Sequence, residues 1–357
     1  MRRITLACAA IALTLLPAVT QAQSSDWVLP RMPDGTPDLQ GNWSNATMTP
    51  IVRPRGIGPV LSQEQVESLE QGRQDFLEDA AQASDPDREA PPVGGEATGN
   101  AIFDAATGGT GGYNQFFVDA GDDVAMFRGE PRSSLLVFPA DGQRPAYTDE
   151  GQRRNAANAA FNRQFGQYDN PENRPLAERC IMSFGSNAGP PMLPNYFYNN
   201  NYTIVQTPDH IMIMTEMVHD VRVIRMGEPS PLPRQVRPWM GDSWGAWEGD
   251  TLVVATRNIH PAQSLLAMSA ASFRASEDIT VTERFFRISE DVIEYTFTVD
   301  DPTLFVSEMR GEMPFIKLDG LLYEYACHEA NYALENVLRG ARSEEAREGN
   351  EPGSRRR

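Results

Sequence analysis

Lysine is almost missing from this chain. Its 31 basic residues are all arginines apart from Lys317, and they face 49 aspartates and glutamates, giving a formal charge of −18. So acidic a chain repels nucleic acid and anionic membrane faces, and the closing Arg355-Arg356-Arg357 is too short to reverse that. Long apolar runs are also missing. After Leu16 no stretch approaches the ~20 residues that span a bilayer, so no membrane insertion is expected of the processed chain. Cysteine is scarce, with 3 in all and none in a CxxC, which speaks against redox or metal work by thiolates. No HExxH or HxH spacing occurs, so metal ligands would have to converge from separate strands. No GxSxG is present, and Gly241-Asp242-Ser243-Trp244-Gly245 is not an elbow between strand and helix. Gly108-Gly109-Thr110-Gly111-Gly112 lacks the lysine of a P-loop. Neither a metal nor a cofactor is expected.

What is present begins with a secretory leader over residues 1–22. Arg2 and Arg3 form its basic start, Ile4 to Leu16 its apolar run, and Thr20-Gln21-Ala22 a small-residue cleavage site near Ala22. The arginine pair lacks the flanks of a twin-arginine signal, so Sec-type export to the periplasm or beyond is expected. Losing Arg2 and Arg3 takes the charge from −18 to −20. Two cysteines remain, and in an oxidising compartment Cys180 and Cys327 are expected to form one disulfide. It would close a long loop worth ~4–5 kcal/mol in the chain-entropy model. Two separate buried thiols are the alternative.

Residues 23–112 read as an extended arm, a helix from Leu61 to Ala83 and a Gly/Pro-rich loop (Ser84 to Gly112). Ser62 and Gln65 make a capping box for that helix, with Val66, Leu69, Phe76 and Leu77 on its apolar side. Residues 113–347 read as a β-rich core domain, and 348–357 as a disordered tail. Short strand-like runs at 113–118, 124–127 and 134–138 precede a second helix over Asp149 to Phe165. A Pro/Gly-punctuated linking segment, Asp169 to Pro194, follows. From Tyr202 the pattern has period two. Candidate strands are 202–206, 210–216, 221–225, 243–247, 251–257, 279–288, 292–299, 304–313 and 321–327, with turns such as Thr207-Pro208-Asp209 and Glu248-Gly249-Asp250 between them. The fold class is therefore mainly β, an antiparallel meander whose closure into a barrel removes exposed edges. A helix from Asn331 to Arg347 is placed to cover one barrel end with Leu334, Val337, Leu338 and Ala341. Gly41-Asn42-Trp43 resembles the Gly-x-Trp opening of lipocalin-type barrels, which implies a tryptophan closing one end; an ordinary buried tryptophan is the plainer reading.

Glu216-Met217-Val218-His219-Asp220 ends one strand and begins the next. There Asp220 or Glu216 could orient His219 through one ring nitrogen and leave the other for acid–base work; a satisfied rim histidine is the plainer reading. Asp242 precedes Trp244 and Trp247, a carboxylate beside indoles that suits neutral ring-shaped substrates. Cys327-His328-Glu329 sets a second imidazole–acid pair after the last strand. His210 and His260 are weaker candidates.

The chain resembles a large group of exported proteins of Gram-negative bacteria with no assigned activity. The resemblance rests on Pro37-Asp38-Leu39-Gln40-Gly41-Asn42-Trp43, Asn170 to Cys180, EMVHD (Glu216 to Asp220), GDSWGAWEGDTLVV (from Gly241), Thr282-Glu283-Arg284-Phe285 and Cys327-His328-Glu329-Ala330-Asn331-Tyr332. It implies export and one continuous unit, and nothing about substrate. The expected function is an acid–base enzyme of lyase, hydratase or hydrolase type on a small, largely uncharged organic substrate. His219 would work with Asp220 or Glu216, Asp242 with His328 as a second pair, and Arg222 as oxyanion partner. The alternatives are a non-catalytic binder of an apolar small molecule, lined by Met212, Met214, Trp244 and Trp247, and an envelope scaffold engaging a protein through the 84–112 loop.

Overall fold

A computed structural model describes residues 27–83, 87, 118–329 and 331–350. The leader, most of the 84–112 loop, the run at 113–117 and residues 351–357 lie outside the described residues.

Period-two segments become strands because alternate side chains can share one dry interior. β5 (Asn201–Gln206), β6 (His210–Thr215) and β7 (Val221–Met226) run antiparallel, as do β8 (Asp242–Glu248), β9 (Thr251–Arg257), β12 (Thr280–Arg287), β13 (Val292–Asp300) and β14 (Met309–Lys317). β1 (Gly41–Ser44) closes the ring by pairing with both β5 and β14, giving a nine-stranded barrel. β4 (Leu136–Phe138) occupies the rest of the β14 edge. β2 (Met126–Phe127) with β3 (Glu130–Pro131), and β10 (Ser264–Leu265) with β11 (Phe273–Arg274), are small ribbons outside the ring.

Alternate side chains of each strand turn into the barrel. Val281, Glu283 and Phe285 on β12, and Ile293, Tyr295, Phe297 and Val299 on β13, are buried. Trp43, Tyr202, Tyr295, Phe285 and Phe315 fill the interior, with Tyr202 and Phe315 ring centroids 5.2 Å apart and Phe285 and Tyr295 4.9 Å apart. Trp43 donates its indole N–H to Leu39 O at 3.1 Å, and the Arg287 guanidinium lies over its ring. Gly311 has no side chain because a Cβ there would stand 2.2 Å from the Phe297 ring.

Three departures from the meander matter for the site. First, β7 and β8 are parallel. The connection over residues 227–241 carries Pro229, Pro231, Pro233 and Pro238, which cannot donate to a ladder; it returns outside the sheet, so one pair of the ring is parallel. Second, the end of the segment expected to be linking chain is a stopper. Residues 186–195 are all buried, and the Met192 N–H donates to Tyr295 Oη at 2.9 Å inside the barrel. Third, residues 321–327 form no strand. Their alternation faces solvent, with Leu321 and Tyr323 85% and 84% exposed, because β14 already runs from Met309 to Lys317 and its edge is taken by β1 and β4. The residues instead strap over the wall: Gly320 O accepts from Asn42 Nδ2, and the Tyr323 N–H donates to Glu216 Oε1 at 2.8 Å.

The short hairpins at 207–209, 249–250 and 288–291 define one rim, here called lower. The 216–220 turn, the stopper and the connection over 258–279 lie at the upper rim. Helix α1 (Gln63–Ala80) has the expected capping box, yet Leu69 and Phe76 stay exposed. The face it turns inward carries Val66, Glu70, Arg73 and Leu77, because Glu70 accepts from the Val124 N–H and Arg73 pairs with Asp122. Helix α2 (Asp149–Asn162) starts on a Thr148 cap. Helix α3 (Tyr332–Asn350) half-buries Leu334, Val337, Leu338 and Ala341 as expected. Its Arg342 donates to Tyr168 O and Asp169 O, so it anchors to the 166–180 segment and not to a barrel end. Among the described residues no helix is long and apolar enough to cross a membrane.

Candidate functional site

The turn between β6 and β7 is tight enough to force two side-chain-bearing residues into the left-handed region, Val218 at φ 59° and His219 at φ 50°. A β-branched residue resists that conformation, so the surroundings must hold it. Met217 and Val218 are buried and anchor the turn, and the Thr215 N–H donates to Asp220 O at 2.8 Å across it. The outcome is an exposed His219 beside a half-buried Asp220. Backbone strain of this kind concentrates at working sites.

Glu216 is not free to act. Its Oε2 accepts from Asn201 Nδ2 at 2.8 Å and its Oε1 from the Tyr323 N–H, so it staples the 321–327 strap to the rim. That strap fixes His219 in turn. Nδ1 of His219 lies 2.9 Å from Tyr325 O; a carbonyl only accepts, so in the neutral ring Nδ1 carries the proton and Nε2 presents its lone pair. The Cys180–Cys327 disulfide then pins His328, whose ring centroid is 6.4 Å from that of His219. A single substrate atom or water can bridge such a gap.

Asp220 differs electrically from its neighbours. Burial pushes its carboxyl up to about 6, against the opposing pull of the Ser183 backbone hydrogen bond and of His219. Its Oδ2 is buried without a partner among the described residues. A carboxyl that titrates near neutrality with an unused oxygen is a proton donor and acceptor in waiting. Asp119, which sequence reasoning missed, reaches solvent but is crowded by protein mass. It too is held above the usual range, by desolvation first and by Asp122 and Glu216 among the remaining causes. The Tyr325 carbonyl and the Ser183 N–H were equally invisible, because backbone groups leave no mark on a sequence.

The other candidates lie elsewhere. Arg222 points into the barrel and forms a two-pronged pair with Glu283, at 3.1 and 2.7 Å, to which Tyr295 also donates at 2.7 Å. Asp242 spends one oxygen on Arg225 and the other on the Leu232 N–H, tying down the proline-rich return. Arg225 in turn stacks over Trp244 at 4.1 Å. Met212 and Met214 face outward on β6, since Ile211, Ile213 and Thr215 are the buried set. Trp247 alone lines a cavity, about 440 Å³ at the lower rim, with Gln206 and Met226. His210 begins β6 at the lower rim. His260 stacks on Trp239 at 3.8 Å and is pushed down by burial and by Arg237.

A larger cleft of about 950 Å³ flanks the upper rim, and Ser183 belongs to its lining. Among the described residues no group of three or more His, Cys, Asp or Glu could hold a metal ion. No family model, curated protein or solved structure matches this chain.

Proposed function

We propose that this chain is an exported acid–base enzyme whose working groups are Asp220 and His219, with His328 as a second imidazole, acting on a small organic substrate. The observation that carries the reading is Asp220: burial pushes its carboxyl up to about 6, and one oxygen has no partner among the described residues, beside a histidine whose Nδ1 is held by a carbonyl. Asp220 in its protonated form supplies a proton to a departing or accepting oxygen. Nε2 of His219 removes one from water or from carbon, and His328 takes the opposite flank. This is the machinery of hydration, elimination or hydrolysis. Export to the periplasm, read from residues 1–22, belongs to the same proposal, as does kinship with the uncharacterised exported group.

The rival reading, an apolar-ligand binder, has less support. Aromatic side chains occupy the barrel interior, and three of its four lining candidates face outward. A scaffold role through residues 84–112 concerns a segment outside the described residues.

The test is a turnover screen of the mature chain against chromogenic esters, lactones, epoxides and β-hydroxy carbonyl compounds. Any activity found should fall by ~10²-fold or more in both Asp220→Asn and His219→Ala, and the limb near pH 6 should vanish in the former. Activity surviving in both variants refutes the assignment, and silence across the panel from a folded protein counts against it.

A further inference from the structure

We infer that the cleft beside the upper rim is a binding site for an organic anion with an aromatic body. One wall is the segment from Phe161 to Gly185, the other the connection that carries β10 and β11. Both walls are built rather than loose. The first is tied by the Cys180 disulfide, by Asn331 Nδ2 donating to Glu178 O and by Arg342 on Tyr168 and Asp169. The second is tied through Gln263, whose Nε2 donates to Gly189 O at 2.9 Å in the stopper. At about 950 Å³ the space matches a small organic molecule.

Its chemistry runs against that of the molecule. In a chain of charge −18 the cleft is lined by three arginines and one carboxylate, Glu172. Arg174 is accounted for: it grips Glu178 with two hydrogen bonds of 2.8 Å and lies over the Tyr168 ring. Arg179 on one wall and Arg274 on the other have no carboxylate partner among the described residues. Guanidinium groups on both walls of one cleft, without a carboxylate partner among the described residues, suit a carboxylate or similar oxyanion. Beside them, Phe161 and Phe165 pack edge to face at 5.2 Å and remain 59% and 42% exposed, a surface for a flat apolar ring. Cations without a carboxylate on both walls point to an anionic partner. None of Asp220, His219 or His328 lines this space, so the inference does not rest on the catalytic reading.

The experiment uses the mature chain and the fluorescent anion 8-anilinonaphthalene-1-sulfonate as probe, displaced by 2-naphthoate or by its uncharged analogue 2-naphthylmethanol. Saturable binding is expected, with naphthoate displacing the probe at least tenfold better than the alcohol. Arg179→Gln and Arg274→Gln should each weaken binding roughly tenfold, the loss of one charge-assisted hydrogen bond. Arg274→Lys should retain part of the affinity, and His219→Ala should leave it unchanged. Equal displacement by acid and alcohol, undiminished binding in the two glutamine variants with their circular dichroism intact, or no saturable binding at all would each overturn the inference.

Discussion

Replacing Asp220 by asparagine should make the protein more stable at neutral pH and less responsive to pH. Asp220 rises from the ordinary aspartate value of 3.8 to about 6 in the folded chain, chiefly because burial disfavours its charge. Below both values the carboxyl is protonated whether the chain is folded or not, and stability does not depend on it. Between them the unfolded chain releases the proton while the folded chain keeps it, so stability falls as pH rises. Above about 6 the loss is complete. At ~1.4 kcal/mol per pH unit the ceiling is ~3 kcal/mol, and the residual solvent contact of Asp220 brings the expectation to ~1–3 kcal/mol. Urea unfolding of both proteins at about pH 4 and about pH 7.5 separates the contribution, since every other titrating group is shared and cancels. The midpoints should be close at the lower pH and differ in favour of the asparagine variant at the higher one, with the slope unchanged. Parallel stability curves at both pH values would refute the burial argument and, with it, the main reason to regard Asp220 as a poised acid. A gain in stability with a loss of turnover is the trade expected where a site is kept strained for its chemistry.

Glu283→Ala should destabilise by ~3–5 kcal/mol, because it strands Arg222 in the barrel interior; the double variant Arg222→Met with Glu283→Leu should recover most of that in the same unfolding assay. Cys327→Ser opens a link across 147 residues, which chain entropy values at ~5 kcal/mol. Melting with and without reductant measures it, and amide exchange over 321–328 should rise in parallel. Gly311→Ala should cost ~1–3 kcal/mol or more, since the new methyl meets the Phe297 ring; a wild-type denaturation midpoint would contradict the packing described.

Where local physics alone decides structure, the sequence was readable. Val292–Asp300 and Thr280–Arg287 alternate cleanly because one face is dry, and the Ser62–Gln65 box announces the start of α1. The two remaining cysteines had only each other. Legibility ended where a segment answers to partners distant in sequence. Residues 186–195 look like linker because their glycine and prolines signal a turn, yet their burial comes from Tyr295, Gln263 and Arg222. Residues 321–327 alternate like a strand and meet no free edge. The last barrel strand begins later than its apolar pattern suggests, because Leu304 and Phe305 pack under the start of α2, where the Thr148 N–H donates to Leu304 O. At the candidate site, His219, Asp220 and His328 were legible as residue types at one rim. Asp119, the Tyr325 carbonyl and the raised titration of Asp220 depend on enclosure that no local pattern encodes.

The single parallel contact between β7 and β8 settles a question of parity. A ring whose strands strictly alternate must contain an even number of them; this ring has nine, and one like-directed neighbour makes the odd count admissible. The same step fixes the polarity of everything downstream. Had β8 followed β7 by a hairpin, β9 would have finished at the opposite mouth, and Gln263 could not have met Gly189. As the chain runs, its long excursions over 45–200, 258–279 and 301–308 all begin and end at one mouth, whereas the other carries the short hairpins, the two chain ends of the ring and the start of the 227–241 return. One end of the molecule can therefore be lengthened, exchanged or redecorated while the ring stays closed, and variation among related chains should concentrate there.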